Sequence, residues 1–242
     1  INQALDEERF SLFYQNIENI SLSNKESDGE RFEILLRMLD ENNNLIKPSA
    51  FMPSAERYNL AVKIDTWVFN QALEWMTLNI GRIDNIMMCS INISGHSMNN
   101  IQYLDFVLQK LYETNIPPDK ICFEITETAA ISNISTALKL MQTIKSVGCK
   151  FALDDFGSGV SSFAYLKQLP VDYLKIDGSF IRDIVHDQID YEMVRSIKDV
   201  AGVMGMMTIA EFVENEEIKD KLVEIGIDYG QGYFMSEPKL LK

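Results

Sequence analysis

Short β-rich runs alternate with longer amphipathic stretches along most of this sequence, and this alternation constrains the fold more than any other feature. Strands are predicted at residues 10–17, 31–39, 86–93, 121–126, 150–154, 173–176, 207–210 and 228–233. Helix-period stretches lie at residues 64–79, 103–112, 134–147, 191–204 and 216–225. Repeated strand–helix units predict parallel strands. Eight of them in 242 residues favour a closed (β/α)8 barrel, an α/β fold of about 250 residues.

One connection breaks the alternation. Residues 18–30 are polar and turn-rich, with Asp28-Gly29 as a turn signal and no apolar helical stripe. Parallel neighbours need a long crossover, whereas antiparallel neighbours need only a loop. We therefore predict a TIM-like barrel with an antiparallel first strand. No repeat or linker interrupts residues 1–242, which we interpret as a single domain; the chain opens inside a helical pattern at Ile1, so we expect it to belong to a longer multidomain protein.

Composition limits the classes of partner. The formal net charge is −14, and no broad cationic face is available, which argues against binding of a nucleic acid polymer or an anionic membrane. No apolar run is long enough to span a bilayer, and acidic residues follow the N-terminus too soon for a signal peptide. Cys89, Cys122 and Cys149 lie in apolar runs and are interpreted as reduced core thiols. We expect a cytoplasmic location, either free or as the cytoplasmic part of a membrane-anchored parent.

Acids and amides recur near the carboxyl ends of the predicted strands, where a βα barrel builds its active site. They are Asn92, Glu124, Glu127, Asp154, Asp155, Asp177, Glu211, Glu214 and Gln231, with Lys175 among them, while Glu33 lies earlier in its predicted strand. Taken singly, each has a simpler interpretation: a rim residue, a helix cap, a turn, a satisfied core amide or a surface lysine. Separate interpretations of this kind do not explain the whole set, because polar residues recur at the same level of one predicted strand after another.

Several buried carboxylates at one barrel mouth would repel one another, and Lys175 and Arg37 cannot neutralise them all. An all-oxygen set of carboxylates and one amide suits Mg²⁺ or Mn²⁺. The pair Asp154-Asp155 suits two ions, as in phosphoryl chemistry. His96 and His186 lie far apart in the sequence, and no nucleophilic triad is indicated. The residues alone therefore favour a two-metal phosphodiesterase or a related hydrolase.

Several motifs in order resemble those of the EAL family, bacterial phosphodiesterases that hydrolyse cyclic di-GMP. The resemblance runs from about Phe10 to Pro238. The blocks that carry it are Tyr14-Gln15, Glu33-Ile-Leu-Leu-Arg37, Ser90-Ile-Asn-Ile-Ser94, Glu124-Ile-Thr-Glu127, Asp154-Asp-Phe-Gly-Ser-Gly159, Asp172-Tyr-Leu-Lys-Ile-Asp177, Ala210-Glu-Phe-Val-Glu214 and Gln231-Gly-Tyr233. Each block is weak by itself, and the ordered set is specific.

The resemblance implies a role for each matching position. Glu33, Asn92, Glu124 and Asp154 would hold one metal, and Asp154, Asp155 and Glu211 the other. Lys175 would orient the attacking water, and Glu211 would act as general base. Contacts with substrate or its water shell would come from Gln15, Leu35, Arg37, Asp177, Glu214 and Gln231. Glu127 would brace residues 155–162.

The implied reaction is attack of a metal-held hydroxide on one phosphorus of cyclic di-GMP, which gives linear pGpG. Ca²⁺ is expected to inhibit, and a homodimer and upstream signalling domains are expected partners. The alternative is a receptor domain that binds cyclic di-GMP and is inactive or silent. Val160 and Phe212 depart from commoner residues, and Phe212 is predicted either to narrow the pocket or to pack outward.

Overall fold

A computed structural model describes residues 1–7, 9–21, 29–157 and 163–242. The strands of these residues are β1 (Phe10–Asn16), β2 (Glu18–Asn19), β3 (Glu30–Leu39), β4 (Leu45–Ile46), β5 (Ile86–Asn92), β6 (Ile121–Thr126), β7 (Lys150–Phe156), β8 (Tyr173–Ile176), β9 (Met207–Ala210), β10 (Tyr229–Gly230) and β11 (Lys239–Leu240). All of them belong to one sheet.

The helices of the described residues surround this sheet. They are α1 (Asn2–Asp6), α2 (Pro48–Arg57), α3 (Ala61–Leu78), α4 (Gly95–Met98), α5 (Ile101–Glu113), α6 (Glu127–Ser132), α7 (Ile134–Ser146), α8 (Phe163–Leu166), α9 (Gly178–Ile181), α10 (Gln188–Val203) and α11 (Glu216–Ile225), with 3-10 turns at Ile80–Asn85 and Pro118–Lys120. In the described part of the chain, no helix combines the length and the apolar character that crossing a membrane requires.

The sheet closes on itself as a TIM-like barrel. Strands β3, β5, β6, β7, β8, β9 and β10 pair in that order, all parallel. β1 pairs antiparallel with β3, with Gln15 opposite Glu33. Its continuation β2 pairs antiparallel with β10 and completes the ring. The predicted barrel and its antiparallel first strand are therefore confirmed, although the predicted turn at Asp28 lies outside the described residues.

An apolar layer fills the barrel directly below the functional strand ends. It contains Ile17, Met88, Cys122, Ala152, Tyr173, Ile209 and Tyr229, all buried. Successive side chains of a strand alternate between its two faces, so the residue two positions further along points to the same interior. For five of these seven residues, that position is Glu124, Asp154, Lys175, Glu211 or Gln231. The alternation therefore places five polar residues on an apolar floor.

The sequence boundaries hold best for the strands between helices. Residues 121–126, 173–176 and 207–210 were predicted with the bounds that the structure has. The last predicted strand, 228–233, is wrong in length, because only Tyr229–Gly230 stays in the ladder. Helix α2 was not predicted, because Pro53 lies inside it and proline opposes a helix interior. The three cysteines are buried and unpaired, as predicted.

Candidate active site

Lys175 lies at the centre of four carboxylates from four other barrel strands. Its Nζ is 2.8 Å from Glu124 Oε2, 2.9 Å from Asp154 Oδ1, 3.0 Å from Glu211 Oε1 and 3.3 Å from Glu33 Oε2. The lysine and Glu124 are fully buried. One ammonium among four carboxylates leaves a net negative charge at the mouth of the barrel.

Side-chain amides hold Glu33 in place. Asn92 Nδ2 and Gln231 Nε2 each donate a hydrogen bond of 2.7 Å to the Glu33 carboxylate, one to each oxygen. Gln231 Nε2 also lies 3.4 Å from Gln15 Oε1, and Gln15 donates to the carbonyl of Ser236 at 2.9 Å. These bonds link β3 to β5 and to the residue that follows β10, and they connect that residue to β1.

Asp154, Asp155 and Glu211 form a second group. One carboxylate oxygen from each lies within 4.8 Å of the others. Asp155 has a left-handed backbone, with φ of 54°, at the end of β7. Adjacent residues of a regular strand face opposite sides of the sheet. The left-handed turn allows both Asp154 and Asp155 to contribute an oxygen to this group.

The pKa values of several of these side chains are shifted by burial and by the interactions between neighbouring charges. Burial raises the pKa of Glu211 to about 8 and, with repulsion from Asp154, that of Asp155 to about 6. Burial and repulsion by Glu33 raise the pKa of Glu124. The pKa of Glu33 falls, because Lys175 and the two amides outweigh its burial. For Lys175, the surrounding carboxylates outweigh burial and raise the pKa.

The donor set fits hard divalent cations. Every candidate ligand presents oxygen, the preference of Mg²⁺ and related ions. Glu124 Oε1 is buried and has no hydrogen-bond partner among the described residues. A buried carboxylate oxygen without a partner is costly unless something compensates it. A cation held by this cluster would do so.

The remaining predicted site residues occupy different surroundings. Leu35 lines a cavity of about 800 Å³ beside Glu33 and Asn92. The Arg37 guanidinium lies 5.7 Å from the Phe13 ring centroid and donates to the Leu36 carbonyl. It forms no ion pair with the carboxylates described above.

Asp177 and Glu214 lie at the ends of β8 and β9. Asp177 caps α9 by accepting a hydrogen bond from the Ser179 amide at 2.8 Å, and its charge contributes to the raised pKa of Asp155. Glu214 is exposed and makes no hydrogen bond or ion pair with the described residues. Capping therefore accounts for the position of Asp177, while nothing in the cluster holds Glu214.

Glu127 holds the backbone that follows the Asp154-Asp155 pair. It is buried at the start of α6, and its carboxylate accepts a 3.0 Å hydrogen bond from the Gly157 amide and another from the Tyr165 hydroxyl. Gly157 and Tyr165 lie on either side of residues 158–162 in the sequence. These five residues, which include Val160, fall outside the described residues. The part of the predicted bracing that the structure describes is the contact at Gly157.

Sequence reasoning missed Asp65, a buried acid in α3 on the wall of the cavity. Its Oδ2 accepts hydrogen bonds from the Ser94 amide at 2.9 Å and the Ser97 hydroxyl at 2.6 Å. Burial raises its pKa despite these bonds. The available signal was an acid between Ile64 and Val68 on an apolar helix face.

The fold and site define an α/β barrel whose mouth holds a buried lysine among carboxylates. Comparison with known proteins identifies the family to which this barrel belongs. The EAL domain family model matches residues 1–238, so the chain belongs to the EAL domain family. It is 41% identical over all of its length to the cyclic di-GMP phosphodiesterase PdeB of Shewanella oneidensis, and 39% identical over all of its length to the cyclic di-GMP phosphodiesterase PdeF of Escherichia coli. The chain spans only 28% and 31% of these relatives, about a third or less.

Solved structures agree with this assignment. The PaMucR phosphodiesterase in complex with c-di-GMP matches with a TM-score of 0.89 and 30% identity, over 98% of this chain and 95% of that chain. The FimX EAL domain of Pseudomonas aeruginosa bound to c-di-GMP also matches with a TM-score of 0.89, at 27% identity, over 98% and 94% of the two chains.

Proposed function

We propose that this domain is a metal-dependent phosphodiesterase that hydrolyses cyclic di-GMP to linear pGpG. The observation that carries the proposal is the burial of Lys175 among four carboxylates at the carboxyl end of the barrel. Relatives named cyclic di-GMP phosphodiesterases, about 40% identical over the whole chain, support the choice of substrate.

Two divalent cations, Mg²⁺ or Mn²⁺, are the proposed cofactors. Glu33, Asn92, Glu124 and Asp154 would hold one, and Asp154, Asp155 and Glu211 the other. When bound, such ions supply the positive charge that lowers the pKa of a water and offsets the charge on a phosphate. They also explain how a chain with a net charge of −14 would accept an anionic substrate.

Lys175 would orient the attacking water. Its raised pKa keeps the amine protonated, so it donates hydrogen bonds and does not accept a proton. Glu211, whose Oε1 is 3.0 Å from Lys175 Nζ, is the proposed proton acceptor. The water oxygen would bond to phosphorus while the bond from phosphorus to the ribose 3′ oxygen breaks, and the proton would pass to the leaving oxygen.

The substrate would extend from this centre along the barrel mouth. Gln15, Arg37 and Gln231 are proposed to contact the phosphates or their water shell, and Asp177 and Glu214 the outer parts of the substrate. Leu35 lines the adjoining cavity, whose volume of about 800 Å³ is within the usual range of small-molecule sites. Glu127 would keep the Asp155 backbone in its left-handed turn.

We further propose that residues 1–242 form one domain of a longer protein and that the domain acts as a homodimer in the cytoplasm. The length of the relatives supports the first statement. Analytical ultracentrifugation of the domain tests whether it is a homodimer, since a monomer at micromolar concentration would contradict that proposal.

The proposal is tested by incubating the protein with cyclic di-GMP and Mn²⁺ or Mg²⁺ and following pGpG by chromatography. Glu33→Ala removes a proposed ligand and should lower kcat at least about a hundredfold. Glu30→Ala is the matched control, because Glu30 begins the same strand and pairs with exposed Arg82 away from the cluster. It should keep the wild-type rate.

Two results would contradict the proposal. Turnover that survives Glu33→Ala would remove the metal assignment. Binding of cyclic di-GMP with no pGpG in either metal would favour a receptor that does not cleave its ligand.

A further inference from the structure

Phe212 has a left-handed backbone, with φ of 54°, immediately after Glu211. Residues with a Cβ adopt this region at a cost, and they stay there only where the surroundings hold them. Phe212 is 44% exposed, so burial of the ring provides only part of that hold. Further contacts of the ring must therefore help to hold the Phe212 backbone in the left-handed region.

Two residues at the ends of α9 contact the ring. The Arg182 guanidinium carbon lies 4.4 Å from the ring centroid, the shortest of the cation–π contacts among the described residues. Gly178 contacts one edge of the ring, since a Cβ at that position would lie 2.1 Å from Phe212 Cδ2. The ring thus packs against α9, and Phe212 does not line the cavity beside Glu33.

The turn at Phe212 separates two residues with different partners. Before it, the Glu211 amide donates to the Ile176 carbonyl at 3.2 Å while its carboxylate lies 3.0 Å from Lys175. After it, the Val213 amide donates to the Gln231 carbonyl at 3.0 Å. A change in the Phe212 backbone would therefore move Glu211, Gln231 or both.

We propose that Arg182 and Phe212 are positioning residues, whose cation–π contact keeps the left-handed turn and so directs the Glu211 carboxylate into the group with Asp154 and Asp155. Neither side chain needs to touch the reacting atoms. This inference rests on the proposed function only in taking Glu211 as a metal ligand.

The test compares Mn²⁺ affinity, measured by calorimetry, in a set of variants of residues 1–242. Phe212→Ala should bind Mn²⁺ about fivefold more weakly than Phe212→Gly, because only alanine is strained at positive φ. If the Phe212 ring only filled space, Phe212→Gly and Phe212→Ala would bind Mn²⁺ with the same affinity. Arg182→Leu should weaken binding about threefold, and Arg182→Lys, which keeps a cation, should recover most of the loss. In a Phe212→Gly background, Arg182→Leu should have no further effect.

Matched controls separate this effect from general damage. Asn43 also has a left-handed backbone, with φ of 62°, in an exposed turn away from the site. Asn43→Ala and Asn43→Gly should differ in thermal stability but not in Mn²⁺ affinity. Arg195→Leu removes an exposed arginine of α10 and should leave the affinity unchanged.

A second measurement does not depend on metal. Hydrogen exchange of the Glu211 and Val213 amides, followed by NMR in the metal-free protein, should quicken in Phe212→Ala and Arg182→Leu and be restored by Arg182→Lys. Equal exchange rates and equal Mn²⁺ affinities in all variants would overturn the inference. If instead Glu211→Gln binds Mn²⁺ as tightly as wild type, the assignment of Glu211 as a ligand fails, and the exchange rates still decide whether Arg182 and Phe212 hold the turn.

Discussion

Lys175 Nζ lies 2.8 Å from Glu124 Oε2, and both side chains are fully buried beneath the mouth of the barrel. Breaking a buried ion pair by removing one partner costs several kcal/mol, because the other charge is left uncompensated. Lys175 is therefore a structural counter-ion of the cluster as well as the proposed partner of the attacking water. The two roles can be separated by experiment.

Lys175→Met should destabilise the metal-free protein by about 3 kcal/mol or more. Mn²⁺ should then raise the melting temperature of the variant by more than that of wild type, because cations replace the missing charge. Differential scanning fluorimetry with and without Mn²⁺ measures both effects. Lys145→Met, which breaks the more exposed pair with Asp172, is the control and should show no extra response to Mn²⁺. A variant as stable as wild type without metal would contradict the role of Lys175 as counter-ion.

Tyr165→Phe removes one hydroxyl that donates to Glu127, the residue that also accepts from the Gly157 amide. We expect kcat to fall by about three- to tenfold with little change in melting temperature, because Asp155 loses part of the support for its left-handed turn. Steady-state kinetics measures the loss. Tyr191→Phe is a matched control, since its hydroxyl pairs with Glu224 at the surface. Equal kcat values for the two variants would show that Tyr165 does not support the site.

The barrel and most of the carboxylate cluster could be predicted from the sequence, because strand ends in parallel sheets meet at one edge and the acids recur there. Asp65 and Tyr165 could not be predicted as part of the site. Each lies within a helix, where the sequence pattern indicates which face is buried but not which residues that face contacts. The hydrogen bonds of Gln231 to Glu33 and Gln15 also depend on closure of the ring between the first and last strands.

Ca²⁺ added to the Mn²⁺-loaded protein should lower the rate of pGpG formation. Ca²⁺ accepts more ligands at longer distances than Mg²⁺ does, so it would hold the same carboxylates in poorer geometry for in-line attack. A titration of Ca²⁺ at fixed Mn²⁺ measures this effect, and a rate with Ca²⁺ alone that equals the Mn²⁺ rate would contradict it. A titration with Na⁺ at equal ionic strength controls for screening.

Asp65 predicts a pH dependence of stability. Its pKa is raised in the folded state by burial, so the folded protein holds this proton more tightly than the unfolded chain does. The carboxylate therefore lowers stability at pH values above its folded pKa, and this penalty disappears as the pH falls through the folded pKa towards the unfolded value.

Asp65→Asn removes that titration while keeping an oxygen that can accept from Ser94 and Ser97. Wild type should lose stability relative to Asp65→Asn as the pH rises from about 4 to 7. Urea denaturation of both proteins across this range provides the difference, and the other acids cancel because they are common to both. A difference that does not change with pH would show that the Asp65 pKa is not raised.

Gly178→Ala should destabilise the protein, because the new Cβ would lie 2.1 Å from the Phe212 ring and force it from its place. Overpacking of this kind costs about 1–3 kcal/mol. Phe212→Gly removes the ring, so the double variant should recover most of the stability that Gly178→Ala loses relative to Phe212→Gly alone. Thermal melting of the four proteins completes a double-mutant cycle.

Gly202→Ala is the matched control, since the space beside Gly202 in α10 is open and alanine favours a helix. This variant should melt at or above the wild-type temperature. If Gly178→Ala costs the same with and without the Phe212 ring, the two residues are not in the contact described and the ring must be held by Arg182 alone.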